Sequence, residues 1–330
     1  MSDLKIFLKK LEKGYIMVID ALRRLMNCWC EGKMINYLIL ILSTLLATGK
    51  ALFCKALGTG NYTKKENAVL NFKSFLVASI CALAFVIDKT EQLINISSFS
   101  LVLSVIFGFT VALTQIMQAR AMGNGPTSIV SLIYSCGFLI PIFYGLLFLQ
   151  EGVSVFQWLG IVLLMGALYL IVYKGDRKSK ALAWMPFAII AMLGSGTNAV
   201  FQKIHQLSEF KNEFQAFVAC ALFFSALFTG IVSLIVKRDD ESKPRLTKKQ
   251  KILNNLVIPI GLGICVGLLN FTNLFLAGKL PSVIHFPIFN VGSMLLASLI
   301  SAIIYRDMPT KRQSAGFAIG IVAILIIGIL

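Results

Sequence analysis

The sequence predicts an all-α integral membrane protein of ten transmembrane helices, arranged as a 5+5 inverted repeat. Three observations predict it: an apolar composition, ten apolar stretches of spanning length, and a motif that recurs at a fixed offset. Of the 330 residues, 57% are hydrophobic and 14% charged. The mean hydropathy is +0.82, outside the range of soluble domains.

An α-helix needs about 20 apolar residues to cross roughly 30 Å of hydrocarbon. Stretches of that kind run over 35–58, 67–87, 98–122, 126–149, 153–173, 181–206, 212–236, 254–278, 281–304 and 310–330. They lack the period-2 alternation of a membrane barrel, so each reads as a helix and together they read as a bundle. No soluble domain fits between them. Domain organisation follows as a polar leader over 1–33, a first five-helix unit over 34–173 and a second over 174–330.

The net charge of +16 does not indicate nucleic acid. It follows membrane topology, because basic residues gather in connections facing the cytoplasm. Connections 1–2, 5–6, 7–8 and 9–10 hold Lys64, Lys65, Lys174, Arg177, Lys237, Arg238, Lys248, Arg306, Lys311 and others, whereas the opposite connections hold only Lys89 and Lys211. The loops therefore place both ends of the bundle outside. The leader votes the other way, since Lys5, Lys9, Lys10, Lys13, Arg23, Arg24 and Lys33 favour the cytoplasm. It has no apolar core or cleavage site of a signal peptide. Two readings of it stay open: an amphipathic surface helix, or an untranslated stretch ahead of a start at Met34. The seven cysteines, odd in number and mostly within apolar helices, form no disulfide framework. Cys28 and Cys30 make a poor metal pair with both histidines far away, so no metal and no cofactor are expected.

The repeat carries the strongest functional signal. Residues 114–126 read TQIMQARAMGNGP, and 155 residues on, 269–281 read LNFTNLFLAGKLP. Asn270 falls on Gln115, Asn273 on Gln118, Gly278 on Gly123 and Pro281 on Pro126. In the same way ALFCK (51–55) matches AVFQK (199–203), FKSF (72–75) matches FQAF (214–217), and Gly137 meets Gly292. EGVSVFQWLG (151–160) meets DMPTKRQSAG (307–316), which pairs Glu151 with Asp307. Five helices is an odd number, so the second unit lies upside down relative to the first. An inverted repeat puts a site near mid-membrane and allows two packings open to opposite sides. Gly160, Gly166, Gly261, Gly263, Gly267, Gly316 and Gly320 offer close helix contacts.

These residues resemble the drug/metabolite transporter superfamily, EamA-like branch. The resemblance rests on the 5+5 organisation, on the short turn before PTSIVSLIYSCG (126–137) and on the acidic-x5-Gln-x2-Gly pattern entering helices 5 and 10. It implies alternating-access movement of small metabolites or drugs, with many relatives described as exporters of amino acids and related compounds.

The candidate substrate residues are Gln115, Gln118, Asn270 and Asn273, whose neutral amides can replace a solute's hydration shell; the competing role is interhelical bonding. Charges inside a bilayer are costly and functional by default, and here they are basic. Lys50 is expected to face the cavity, while Lys55 and Lys203, late in their helices, are expected to snorkel to the headgroups. His285, between Pro281 and Pro287, is either a structural histidine or a group that titrates near neutral pH. Asn290, Asn198 and Tyr134 complete the set, and Tyr305 reads as an interfacial anchor. All acidic residues fall at or beyond helix ends, so no buried carboxylate serves a cationic drug. Neutral, zwitterionic or anionic solutes are preferred.

No phosphate-binding G-x-x-x-x-G-K-[ST] loop exists, and no catalytic constellation can be assembled, so no enzyme is expected. The expected partners are the lipid bilayer and a small-molecule substrate, with no nucleic acid and a monomer sufficient. Two other readings are a flippase for an amphipathic molecule, or a multidrug exporter. A non-transporting receptor or assembly factor is a further one.

Overall fold

The computed structural model describes residues 33–59, 62–87, 90–125, 127–172, 182–237, 248–305 and 311–329. Every regular element among them is helical. The predicted segments become α1 (Lys33–Thr59), α2 (Lys64–Ala84), α4 (Ser98–Asn124), α7 (Val155–Val172), α8 (Met185–Leu207), α9 (Phe214–Ile235), α10 (Lys248–Ala277), α11 (Ser282–Tyr305) and α12 (Lys311–Ile329). A short α3 (Thr90–Ile94) lies in the connection before α4. Among the described residues, six helical stretches are long and apolar enough to cross a membrane by themselves: 34–58, 64–84, 98–124, 130–148, 211–235 and 255–277. Three shorter apolar ones fall at 155–167, 282–297 and 314–327. Residues 1–32 of the leader, with Cys28 and Cys30, and many of the basic connection residues lie outside the described residues. So do Pro126, Asp307 and the side chain of Tyr305.

The predicted single helix over 126–149 is a correction. It is broken into α5 (Thr127–Ser135), a 3-10 turn (Cys136–Phe138) and α6 (Leu139–Phe148). Pro141 has no N–H to give to the carbonyl of Gly137, four residues back. That carbonyl lies against Gly196 of α8, where an added Cβ would stand 2.7 Å from it.

α2 opens with a capping box, in which the Thr63 hydroxyl accepts from Glu66 N at 3.1 Å and Thr63 N donates to Glu66 Oε2 at 3.0 Å. Removing the hydroxyl in Thr63→Ala is expected to cost about 1 kcal/mol, read as a lowered melting temperature.

Most of the packing joins helices before residue 173 to helices after residue 182. α2 packs on α9 and α10, α1 on α10 and α11, α4 on α8 and α9, and α7 on α12. Glycines set the close approaches. Gly108 of α4 receives the carbonyl of Ala221 where a Cβ would sit, and Gly263 of α10 receives that of Ser74, 2.5 Å from the Cβ position. Gly58 and Gly123 meet at the ends of α1 and α4. At the end of α10, a Cβ on Gly278 would lie 2.7 Å from Gln206 Oε1 of α8. Gly160 packs against Ile327 of α12. Gly166, expected to serve a similar contact, faces open space with no atom within 4 Å; it lies off the stripe that meets α12.

Besides a small cluster of Leu40, Leu276 and Leu280, two larger apolar cores result among the described residues. One gathers Leu57, Phe75, Phe107, Phe217, Leu222, Leu262 and Leu274 from α1, α2, α4, α9 and α10. The other gathers Phe138, Ile142, Leu164, Phe286, Val291 and Ala323 from the α5–α6 break, α7, α11 and α12.

Candidate functional site

On α4, Gln115 and Gln118 are 1% and 3% exposed, so their spacing of three turns both inward. Gln115 Nε2 donates to Asn71 Oδ1 of α2 at 3.1 Å, and Asn71 Nδ2 donates in turn to Asn67 O and Oδ1, each at 2.9 Å. The carbonyl oxygens of both glutamines are buried and have no hydrogen-bond partner among the described residues. A buried acceptor left in that state costs about 1–3 kcal/mol, so both oxygens have unused capacity to accept a hydrogen bond.

The second amide pair lies on α10. Asn270 Nδ2 donates back to Val266 O at 2.8 Å, and its Oδ1 accepts from Gln202 Nε2 of α8 at 3.4 Å. Asn273 Oδ1 accepts from Ser43 Oγ of α1 at 2.8 Å and meets His285 Nε2 of α11 at 3.2 Å. A carbonyl oxygen at that distance requires the Nε2–H tautomer, which leaves His285 Nδ1 as a bare acceptor. That atom is buried and unpartnered, so His285 is only half satisfied. The two pairs are equivalent in sequence yet bond to different helices, the first to α2 and the second to α1, α8 and α11.

Asn198 has both ends of its amide engaged on α4: Oδ1 accepts from Thr110 Oγ1 at 2.6 Å, and Nδ2 donates to Thr114 Oγ1 at 3.4 Å. It joins two helices. Asn290 Nδ2 donates to Phe286 O of its own helix at 3.1 Å. Lys50 Nζ donates to the Tyr134 hydroxyl at 3.3 Å and lies 5.6 Å from the centre of that ring.

Lys203 corrects the snorkelling expectation. It is 5% exposed, its ammonium pairs with Glu151 Oε1 at 2.7 Å, and it donates to Leu280 O at 3.2 Å. The acid comes from the connection between α6 and α7. Gln150 adopts a left-handed backbone, φ 51°, and Glu151 N then donates to Gly145 O at 3.0 Å. The carboxylate folds inward over Gly145, where a Cβ would lie 2.6 Å from Glu151 Oε2. Ser282 N, at the start of α11, donates to the same oxygen at 2.8 Å, and a helix N-terminus favours a negative charge. The internal acid removes the reason for Lys203 to reach the headgroups. Sequence reading placed Glu151 at a helix end, which is right along the chain, but missed where the side chain goes. It also missed Asn71, Gln202 and Ser43, polar residues on apolar helices that only their neighbours make conspicuous.

One solved structure, described as "Crystal structure of protein", superposes with a TM-score of 0.62 at 13% identity, covering 86% of this chain and 95% of that one. At that identity the likeness concerns the fold alone. No curated protein matches the sequence. The model of the EamA-like transporter family matches residues 34–173. Those residues are thus an EamA-like transporter family domain, which makes the chain a multi-pass membrane protein consistent with the drug/metabolite transporter superfamily.

Proposed function

We propose that the chain is a secondary, non-ATP-driven transporter of a small polar metabolite, working by alternating access between two inverted five-helix halves, residues 34–173 and 174–330. The solute is neutral, zwitterionic or anionic, and the protein acts as an exporter or exchanger in a cell membrane of the bacterial inner-membrane type. A single chain suffices.

The observation that carries this reading is that the same contacts occur twice at repeat-equivalent positions. The register that puts Gln115 on Asn270 puts Gly108 on Gly263, and each glycine takes a carbonyl from the second helix of the opposite half. The match of ALFCK with AVFQK, carried three residues on, puts Gly58 on Gln206. Gly58 meets Gly123 and Gln206 meets Gly278, the equivalent of Gly123. Paired packings of this kind support two halves that exchange roles. The buried amides, two with unpartnered oxygens, supply the polar site between them.

The test is a thermal-shift screen of amino acids, nucleosides, sugars, organic acids and lipophilic cations, followed by counterflow in proteoliposomes with any solute that binds. A ligand selective for the folded state raises its apparent stability. A polar metabolite is expected to stabilise the wild type and to drive counterflow. The double variant Gln118→Ala, Asn273→Ala is expected to lose at least tenfold in affinity while melting normally without ligand. Stabilisation by lipids or lipophilic cations alone, equal in both proteins, would favour the flippase or multidrug reading instead.

A further inference from the structure

We propose that Lys50 and Tyr134 form an anion-binding subsite inside the bundle, and that the transported solute docks a carboxylate or phosphate group there. This deepens the transporter reading and rests on it.

The first observation is where Lys50 points. On α1 the strongly exposed residues are Ile35, Leu38, Ile41, Leu42 and Leu45, at 49–59%. Ser43, Ala47, Cys54 and Leu57, spaced by four, seven and three residues, are 0–7% exposed. Lys50 sits three after Ala47 and four before Cys54, so it belongs to the inward face. It is nevertheless only partly buried. Its accessible surface therefore opens into the bundle and not toward lipid.

The second observation is the company it keeps. The Tyr134 hydroxyl at 3.3 Å is a neutral acceptor, and among the described residues no carboxylate pairs with Lys50. Lys203 shows the contrast, because Glu151 neutralises it. A cation at this depth among apolar helices without an opposite charge is costly, and an anionic group that enters beside it reduces that cost. The phenolic O–H of Tyr134 can turn to donate to the same anion.

The repeat supplies the third observation. The match of ALFCK with AVFQK, carried one residue back, puts Lys50 on Asn198. Asn198 is neutral and spends both ends of its amide on Thr110 and Thr114. The register of α4 on α10 puts Thr110 on Cys265, whose Sγ lies 3.0 Å from a Cβ built on Gly49. A thiol is a weak hydrogen-bonding partner. The second half closes this joint with hydrogen bonds, whereas the first half keeps a cation available.

The test uses the purified full chain in nanodiscs and matched probes that differ only in charge: succinate against succinamide, benzoate against benzamide, and glycerol 3-phosphate against glycerol, with inorganic phosphate alone as a further arm. In at least one pair the anion is expected to bind at least tenfold more tightly, and the responding arm identifies carboxylate or phosphate. Lys50→Gln should erase that preference and Lys50→Arg should keep it, with both variants melting like the wild type without ligand. Equal binding of acid and neutral partner, preference retained in Lys50→Gln, or binding of no anion at all overturns the subsite. If neutral metabolites still bind and exchange through the amides in that case, the transporter reading stands alone; if counterflow also fails for every solute, both readings fall.

Discussion

Gly108→Val is expected to prevent stable assembly of the bundle. A Cβ at this position lands on the Ala221 carbonyl, which is main chain and cannot swing aside like the end of a long side chain. α4 and α9 would have to separate, and α9 is already fixed against α2. Overpacking costs about 1–3 kcal/mol where a core can adjust and more where it cannot. Ser225 adds to the loss, since its hydroxyl bonds the Gly108 carbonyl at 2.7 Å and would be pulled away with α9. Gly263→Val should fail in the same way against Ser74 O. Gly166→Ala is the control: with open space around it, the change removes a flexible residue from a helix and should stabilise by up to about 1 kcal/mol. Folded yield and melting temperature read all three. A Gly108→Val protein that expresses and melts like the wild type would mean the α4–α9 spacing is wrong.

Glu151→Gln is expected to cost about 3–5 kcal/mol, the range for removing one partner of a buried ion pair. Glutamine is nearly the same size, and its Oε1 can still accept from Ser282 N, so the loss isolates the uncompensated charge on Lys203. Removing both charges is a different matter, because an apolar pair of similar volume avoids the desolvation of two ions. Glu151→Gln combined with Lys203→Met should therefore recover most of the stability. If the single variant melts like the wild type, Lys203 has another route to solvent or to a counter-charge. The pair also ties the α6–α7 connection to α8 and to the start of α11.

Helix positions were legible from apolar runs, because burial in lipid imposes a long signal that needs no knowledge of neighbours. The break at Cys136–Phe138 was not, since a 20-residue average smooths over Pro141 and Gly137. The start of α10 at Lys248, nearly two turns ahead of 254, was missed for a related reason: hydropathy finds membrane depth, and helix continues beyond it. Among polar residues, Lys50 and the two amide pairs stood out as costly groups in apolar segments. Glu151 did not, because its sequence neighbours are those of a connection and only the left-handed Gln150 turns it inward. Whether Asn198 binds a solute or joins helices was also invisible, since that depends on Thr110 and Thr114 lying opposite.

The two apolar cores have a consequence for biosynthesis. Each core is assembled from residues on both sides of residue 173, so the stretch that matches the family is not an autonomous folding unit. Helices emerging first from the ribosome must wait in lipid with Gly108 lacking the Ala221 carbonyl and Phe107 lacking the Phe217 ring until α8 to α12 have followed them into the membrane. Individual helices are stable there before they associate, which makes the wait tolerable. The late step is then docking of one set of inserted helices into the other, and a chain truncated after α7 would offer its open faces to membrane quality control.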